Sequence, residues 1–180
     1  MAEKKEALKT AKIITEYNTW LGDYFIPAVE AIEKAVMFNI QQEFNITFQK
    51  WVTMLIEDPT KEAEIDDSFT PMIRQDGYDQ EAEYLSGGEK TSIALAYRLA
   101  LNTIVQKVST GMKSNLLILD EPTDGFSKDQ LYKVRDILEE LNCPQTILVS
   151  HERELRSFAE NIYEVTKSMN DSKVTRVKQE

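Results

Sequence analysis

The feature that most restricts how this chain can fold is a pair of short apolar runs, "NLLILDEP" (115–122) and "QTILVSH" (145–151), each running straight into ionisable residues. Between them lies a polar, helix-forming segment at about 128–141. Apolar runs of strand length without polar alternation suit strands that are covered on both faces, and strand, helix, strand in that order predicts parallel pairing through a crossover helix. An α/β fold is expected. A short helix is expected after the second run. Ahead of the first, Ile93, Leu95, Ala96, Leu99, Ala100, Ile104 and Val108 mark one face of a helix that begins near Ser86 and stops at Gly111.

Upstream the texture differs. From Glu3 to Gln42 helix formers dominate, and Tyr17, Leu21, Tyr24, Ala28, Ala31, Ala35 and Phe38 recur alternately four and three apart, the spacing of a coiled coil. The same spacing also suits an amphipathic helix packed on its own domain. Pro27 falls inside the pattern and lacks an N–H, so a bent or restarted helical pair is expected. Lys4, Lys5, Lys9 and Lys12 read as a solvated helix face. "FNITFQKWVTMLI" (44–56) alternates Phe44, Ile46 and Phe48 with polar residues and predicts a strand. "EDPTKEAEIDD" (57–67) predicts a polar loop, and 68–82 a strand followed by an Asp76-Gly77 turn, giving a small antiparallel sheet. The expected division is 1–42, helical, and 43–180, compact.

Composition narrows the function. With 180 residues, 42% of them hydrophobic, the chain has material for one ordinary core. One cysteine, Cys143, excludes an internal disulfide framework, and no apolar stretch of roughly 18 residues or charged-then-apolar leader occurs, which predicts a soluble protein of a reducing, intracellular compartment without a membrane span. A formal charge of -10 argues against a surface that wraps nucleic acid throughout.

Three places carry chemistry. In "EYLSGGEKTS" (83–92), Ser86 and Glu89 have capping-box spacing, while Gly87 and Gly88 permit close approach to a helix N-terminus, which attracts anions. The stretch is not a phosphate-binding P-loop: Glu89 separates Gly88 from Lys90, and Glu83 stands where the first glycine belongs. Asp120 and Glu121 end the first apolar strand, at the edge where open α/β sheets gather ligands. Adjacent acids there can divide labour, one facing Mg²⁺ and the other orienting or deprotonating a water. His151, the only histidine, ends the second strand, and parallel pairing brings it to the same edge as Glu121. No cysteine and histidine cluster exists for zinc.

In order and spacing, "LSGGE" (85–89), "LLILDEPTD" (116–124) and "SH" (150–151) resemble the signature motif, Walker B strand and switch histidine of ABC-type ATPases over about 83–155. Within that superfamily the chain looks most like the C-terminal head segment of the SMC-like ATPase of DNA double-strand-break repair, partner of the Mre-type nuclease. The resemblance implies the C-terminal lobe of an ABC-type ATPase head, inactive until joined to an N-terminal segment that carries the P-loop. It implies ATP and Mg²⁺ as cofactors, with Ser86, Gly87, Gly88 and Glu89 forming the signature that covers a γ-phosphate held by a second head. Asp120 would support Mg²⁺, Glu121 would be the catalytic base, and His151 the switch. Residues 1–42 would be the returning coiled-coil base where the nuclease docks, with DNA met through the assembled complex.

One departure stands out, since the family usually continues from its "DEPT" to "LD" and this chain has Phe126-Ser127, so that Asp124 or Asp129 supplies the D-loop acid or none is needed. Alternatives are the head of a transporter engine or of a chromosome-organising SMC protein, and a non-enzymatic docking module.

Overall fold

The computed structural model describes residues 2–80, 82–108, 116–169 and 171–177. The expected helix stop at Gly111 lies outside them. The chain divides into two units, Met1–Glu43 and Phe44–Glu180.

In the first unit, α1 (Ala2–Trp20) runs through a π-helical turn, Leu21–Phe25, into the start of α2 (Ile26–Leu55). The turn sits directly before Pro27. There the N–H of Ile26 bonds the carbonyl of Leu21, five residues back, so the proline's missing donor is absorbed by a local change of register while the backbone stays helical. Every described side chain from Glu3 to Asn39 is exposed, among them Tyr17, Leu21, Tyr24 and Phe38 of the coiled-coil spacing.

The second unit corrects two expectations. Residues 44–55 are the end of α2, not a strand. Phe44, Phe48, Trp51, Val52 and Leu55 are buried while Ile46 is 72% exposed, a period of three to four residues. The aromatic cluster accounts for this: Tyr97 of α3 (Gly87–Val108) stands with its ring 5.0 Å from Phe44 and 5.9 Å from Phe48, and its hydroxyl donates to the carbonyl of Phe69 at 3.0 Å. The loop expected over 57–67 contains a strand, β1 (Lys61–Ile65), paired antiparallel with β2 (Pro71–Gln75), which pairs in turn with β3 (Tyr78–Gln80). Poor strand formers are held here by their surroundings. Arg74 bridges Glu64 (3.0 Å) and Asp79 (2.8 Å), and the side-chain oxygens of Asn45 and Gln49, one turn apart on α2, accept the N–H groups of Ile65 and Ala63. Asp76 and Gly77, both at positive φ, close β2 to β3 as the expected two-residue turn.

β4 (Leu116–Asp120), α4 (Lys128–Leu141) and β5 (Gln145–Val149) form the expected strand, helix, strand, with β4 and β5 parallel and Asp120 opposite Val149. Of α3's expected apolar face all but Val108 is buried. The parallel pair departs from expectation in one respect. Leu117 and Leu119 are buried, but Leu116, Ile118, Ile147 and Val149 are exposed, so strands apolar on both faces are covered on one. A short 3-10 turn, Glu154–Phe158, follows β5, and the described chain ends in an antiparallel hairpin, β6 (Ile162–Ser168) and β7 (Asp171–Val177), which sequence reasoning did not anticipate.

Candidate functional site

The carboxyl ends of β4 and β5 bring two of the candidate residues together. Nδ1 of His151 lies 3.0 Å from Oε2 of Glu121, and Nε2 lies 3.6 Å from Oε1 of Glu152. A carboxylate can only accept, so the imidazole nitrogen facing Glu121 donates. Glu121 is not in relaxed backbone: its φ is +42°, uncommon for a residue with a Cβ, and its N–H is tied to the carbonyl of Val149 at 2.9 Å, one step beyond the strand pairing. The parallel register thus sets both the height of the glutamate and its distance from the histidine. Asp120 is the last residue of β4 and is exposed.

At the start of α3 the capping box forms as expected. The N–H and hydroxyl of Ser86 donate to Oε2 of Glu89 at 2.8 and 2.7 Å, and the N–H of Glu89 donates back to Ser86 Oγ at 3.3 Å. Glu89 has a further partner absent from a simple cap: Lys61 of β1, whose ammonium meets Oε1. Lys61 first, then Ser86, hold the Glu89 carboxyl down from an ordinary 4.5 to about 2 against the opposing effect of burial.

The two glycines differ. Around Gly87 nothing lies within 4 Å of where a Cβ would sit, which leaves room for another molecule. A Cβ on Gly88 would stand 3.3 Å from the carbonyl oxygen of Gly125 and 3.4 Å from Oε1 of Gln130, so Gly88 serves close packing of α3 on the loop after β4. Gln130 completes that junction, donating to Ser92 Oγ at 3.3 Å and accepting the N–H of Ser127 at 3.0 Å. Thr123, between the acids and this loop, is fully buried.

Ser127, at the position where an aspartate was expected, is the N-cap of α4 in a second capping box with Gln130. Serine and aspartate cap equally well, so the departure leaves the helix start intact. Lys61, Gly125 and Gln130 went unnoticed in the sequence. Ser127 and Gln130 have a visible S-x-x-Q spacing, whereas nothing local marks Lys61.

Among the described residues no group of three or more acids, histidines or cysteines could hold a metal by itself. That donor set fits Mg²⁺ only where one carboxylate such as Asp120 acts with phosphate oxygens and water, the usual manner of that ion. The open space at Gly87 and the helix N-terminus suit a phosphate. No helix among the described residues is long and apolar enough to cross a membrane.

No family profile matches the chain. Curated relatives do. The DNA double-strand break repair Rad50 ATPase of Thermoplasma acidophilum is 35% identical over 108 residues, covering 57% of this chain and 12% of its own length. That of Archaeoglobus fulgidus is 39% identical over 88 residues (48% and 10%), and that of Methanococcus maripaludis 30% over 137 residues (76% and 12%). The chain thus spans about a tenth of the length of these relatives. Among solved structures, the Smc head domain with a coiled coil and joint from Pyrococcus yayanosii matches 98% of this chain and 35% of its own with a TM-score of 0.73 at 19% identity. The Pyrococcus furiosus Smc head domain with an extended coiled coil, bound to the C-terminal domain of ScpA, gives 0.72 at 21% over 98% and 45%. At such identities what is shared is the fold. The chain is similar in sequence to a segment of the Rad50 ATPases of DNA double-strand break repair, and it has the fold of SMC head domains.

Proposed function

We propose that this chain is the C-terminal half of an ATP-hydrolysing head in a DNA double-strand-break repair ATPase, completed by a separate N-terminal segment that carries the P-loop. The observation that carries the reading is the Glu121–His151 pair at the carboxyl ends of parallel strands, with Asp120 one residue away. The uncovered side of β4 and β5, where Ile118 and Ile147 are exposed, supports a missing lobe.

In this reading Glu121 accepts a proton from the attacking water, and His151 orients the carboxylate and senses the terminal phosphoryl group. Asp120 supports Mg²⁺, and Ser86, Gly87 and Gly88, shaped by Glu89, cover the γ-phosphate of ATP held by a second head. Bound Mg²⁺ supplies charge neutralisation at the phosphates. Residues 1–42 form the base of a coiled coil on which an Mre-type nuclease docks, and 43–180 the head lobe. DNA is met through the assembled complex, in the cytoplasm, nucleoid or nucleus. Relatives named Rad50 at 30–39% identity favour this over a chromosome-organising SMC protein, whose heads match here at 19–23%.

The test is reconstitution. This chain mixed with its P-loop segment, ATP and Mg²⁺ should hydrolyse ATP, and Glu121→Gln should lower turnover roughly 10²- to 10⁴-fold while ATP-driven dimerisation persists. Undiminished turnover in Glu121→Gln removes the assigned base, and no nucleotide binding by the mixture removes the reading.

A further inference from the structure

We propose that Lys61 is a positioning residue for the serine at the mouth of α3, acting through Glu89 so that an anion can be received there. This rests on the reading in which Ser86 meets a phosphate.

Lys61 comes from β1 of the small antiparallel sheet, 28 residues before Glu89. Its side chain is only 8% exposed, which is rare for lysine unless it is paired, and its ammonium is bonded to Oε1 of Glu89. Oε2 of the same carboxylate takes the N–H and the hydroxyl of Ser86. A relay therefore runs from one sheet to the phosphate-facing hydroxyl: ammonium, carboxylate, serine.

A capping box needs a glutamate at this position but no lysine behind it. What the lysine adds is charge. The N-terminus of a helix favours anions, yet a carboxylate hydrogen-bonded to the receiving hydroxyl opposes one and holds the hydroxyl's only proton. Lys61 compensates that carboxylate from the buried side, leaving the solvent side open. Asp58 also feels the charges of both Lys61 and Glu89, so removing Lys61 would leave these two acids without the cation between their fields. The adjacent cation, Lys90, has its ammonium on the carbonyl of Glu83 at 3.3 Å. The small sheet thereby braces the start of α3 through the Lys61–Glu89 pair.

The experiment uses the head assembled with its P-loop segment, and reads the ATP concentration for half-maximal dimerisation by sedimentation, with kcat and KM alongside. Lys61→Met should raise that concentration about tenfold, an ordinary coupling between sites. Lys61→Arg should retain most of the parent behaviour. The decisive variant is Lys61→Met with Glu89→Gln, which should recover most of the loss, because the uncompensated charge leaves with its partner. A packing role alone would not be repaired in this way. Dimerisation of Lys61→Met at the parental ATP concentration, or a double variant no better than the single, overturns the proposal. If Lys61→Met does not fold by circular dichroism, Lys61→Gln alone and with Glu89→Gln gives the same comparison. Ser86→Phe separates the two levels: if it dimerises normally the phosphate reading itself fails, whereas if it blocks dimerisation and the Lys61 variants have no effect, only the role of Lys61 falls.

Discussion

Nδ1 of His151 sits 3.0 Å from Oε2 of Glu121, two side chains thirty residues apart that the parallel register of β4 and β5 brings to one edge. The histidine is thereby placed to orient the Glu121 carboxylate. In the proposed chemistry it orients that acid and senses the terminal phosphoryl group. His151→Ala should therefore lower kcat of the assembled head by roughly 10²-fold while nucleotide binding is kept. Both side chains are largely exposed, so the thermal midpoint of this chain should not change. Single-turnover hydrolysis and a melt of the same preparation check both halves.

Gly87 and Gly88 should separate under substitution. Gly88→Ala presses on the Gly125 carbonyl, so thermal stability falls as α3 or the loop gives way. Gly87→Ala meets nothing inside the chain and should leave stability unchanged, yet it should weaken ATP-driven dimerisation if that open space receives a phosphate. Equal effects of the two changes on melting would contradict the geometry.

Residues 44–55 offer a direct test of helix against strand. On a strand Phe44, Ile46 and Phe48 would share a face, and all three would be costly to alter. In the helix Phe48 is fully buried and Ile46 is exposed. Phe48→Ala should cost about 3–5 kcal/mol, and Ile46→Glu almost nothing, as measured by urea unfolding.

Glu89 gives the fold an acid-sensitive element. Its carboxyl is depressed to about 2 in the folded chain, chiefly by Lys61, below the ordinary 4.5. The unfolded chain therefore binds the proton more readily between these values. The stabilisation is complete above about pH 4.5 and is lost as pH falls towards 2. Asp58 and Asp66 lie in the same direction, held low by hydrogen bonds from Thr60 and Thr70. The difference in thermal midpoint between the parent chain and Glu89→Gln should shrink over that acid range and be largest near neutrality.

Ser127 caps α4, and its loss should be felt as a cap. Ser127→Ala should cost about 1 kcal/mol, whereas Ser127→Asp should keep the stability. If Ser127→Asp changes ATP-driven dimerisation without changing the melt, the loop makes a contact beyond its own helix.

Much of this protein was legible one residue at a time. The apolar runs of β4 and β5, the Ser86 to Glu89 cap and the Asp76-Gly77 turn each follow from interactions within a few residues, where local rules act alone. Tertiary structure decided the rest. The spacing of Phe44 and Phe48 suits either period, and packing against Tyr97, from another helix, and Phe69, from the loop before β2, goes with the helical one. Lys61, Glu62 and Glu64 are poor strand formers, and β1 exists because Arg74, Asn45 and Gln49 satisfy it from outside. The Lys61–Glu89 pair and the fit of Gly88 under Gly125 joined residues far apart in sequence. No local pattern encodes such pairs, since their energies arise only once the chain has brought separate elements within hydrogen-bonding or van der Waals range.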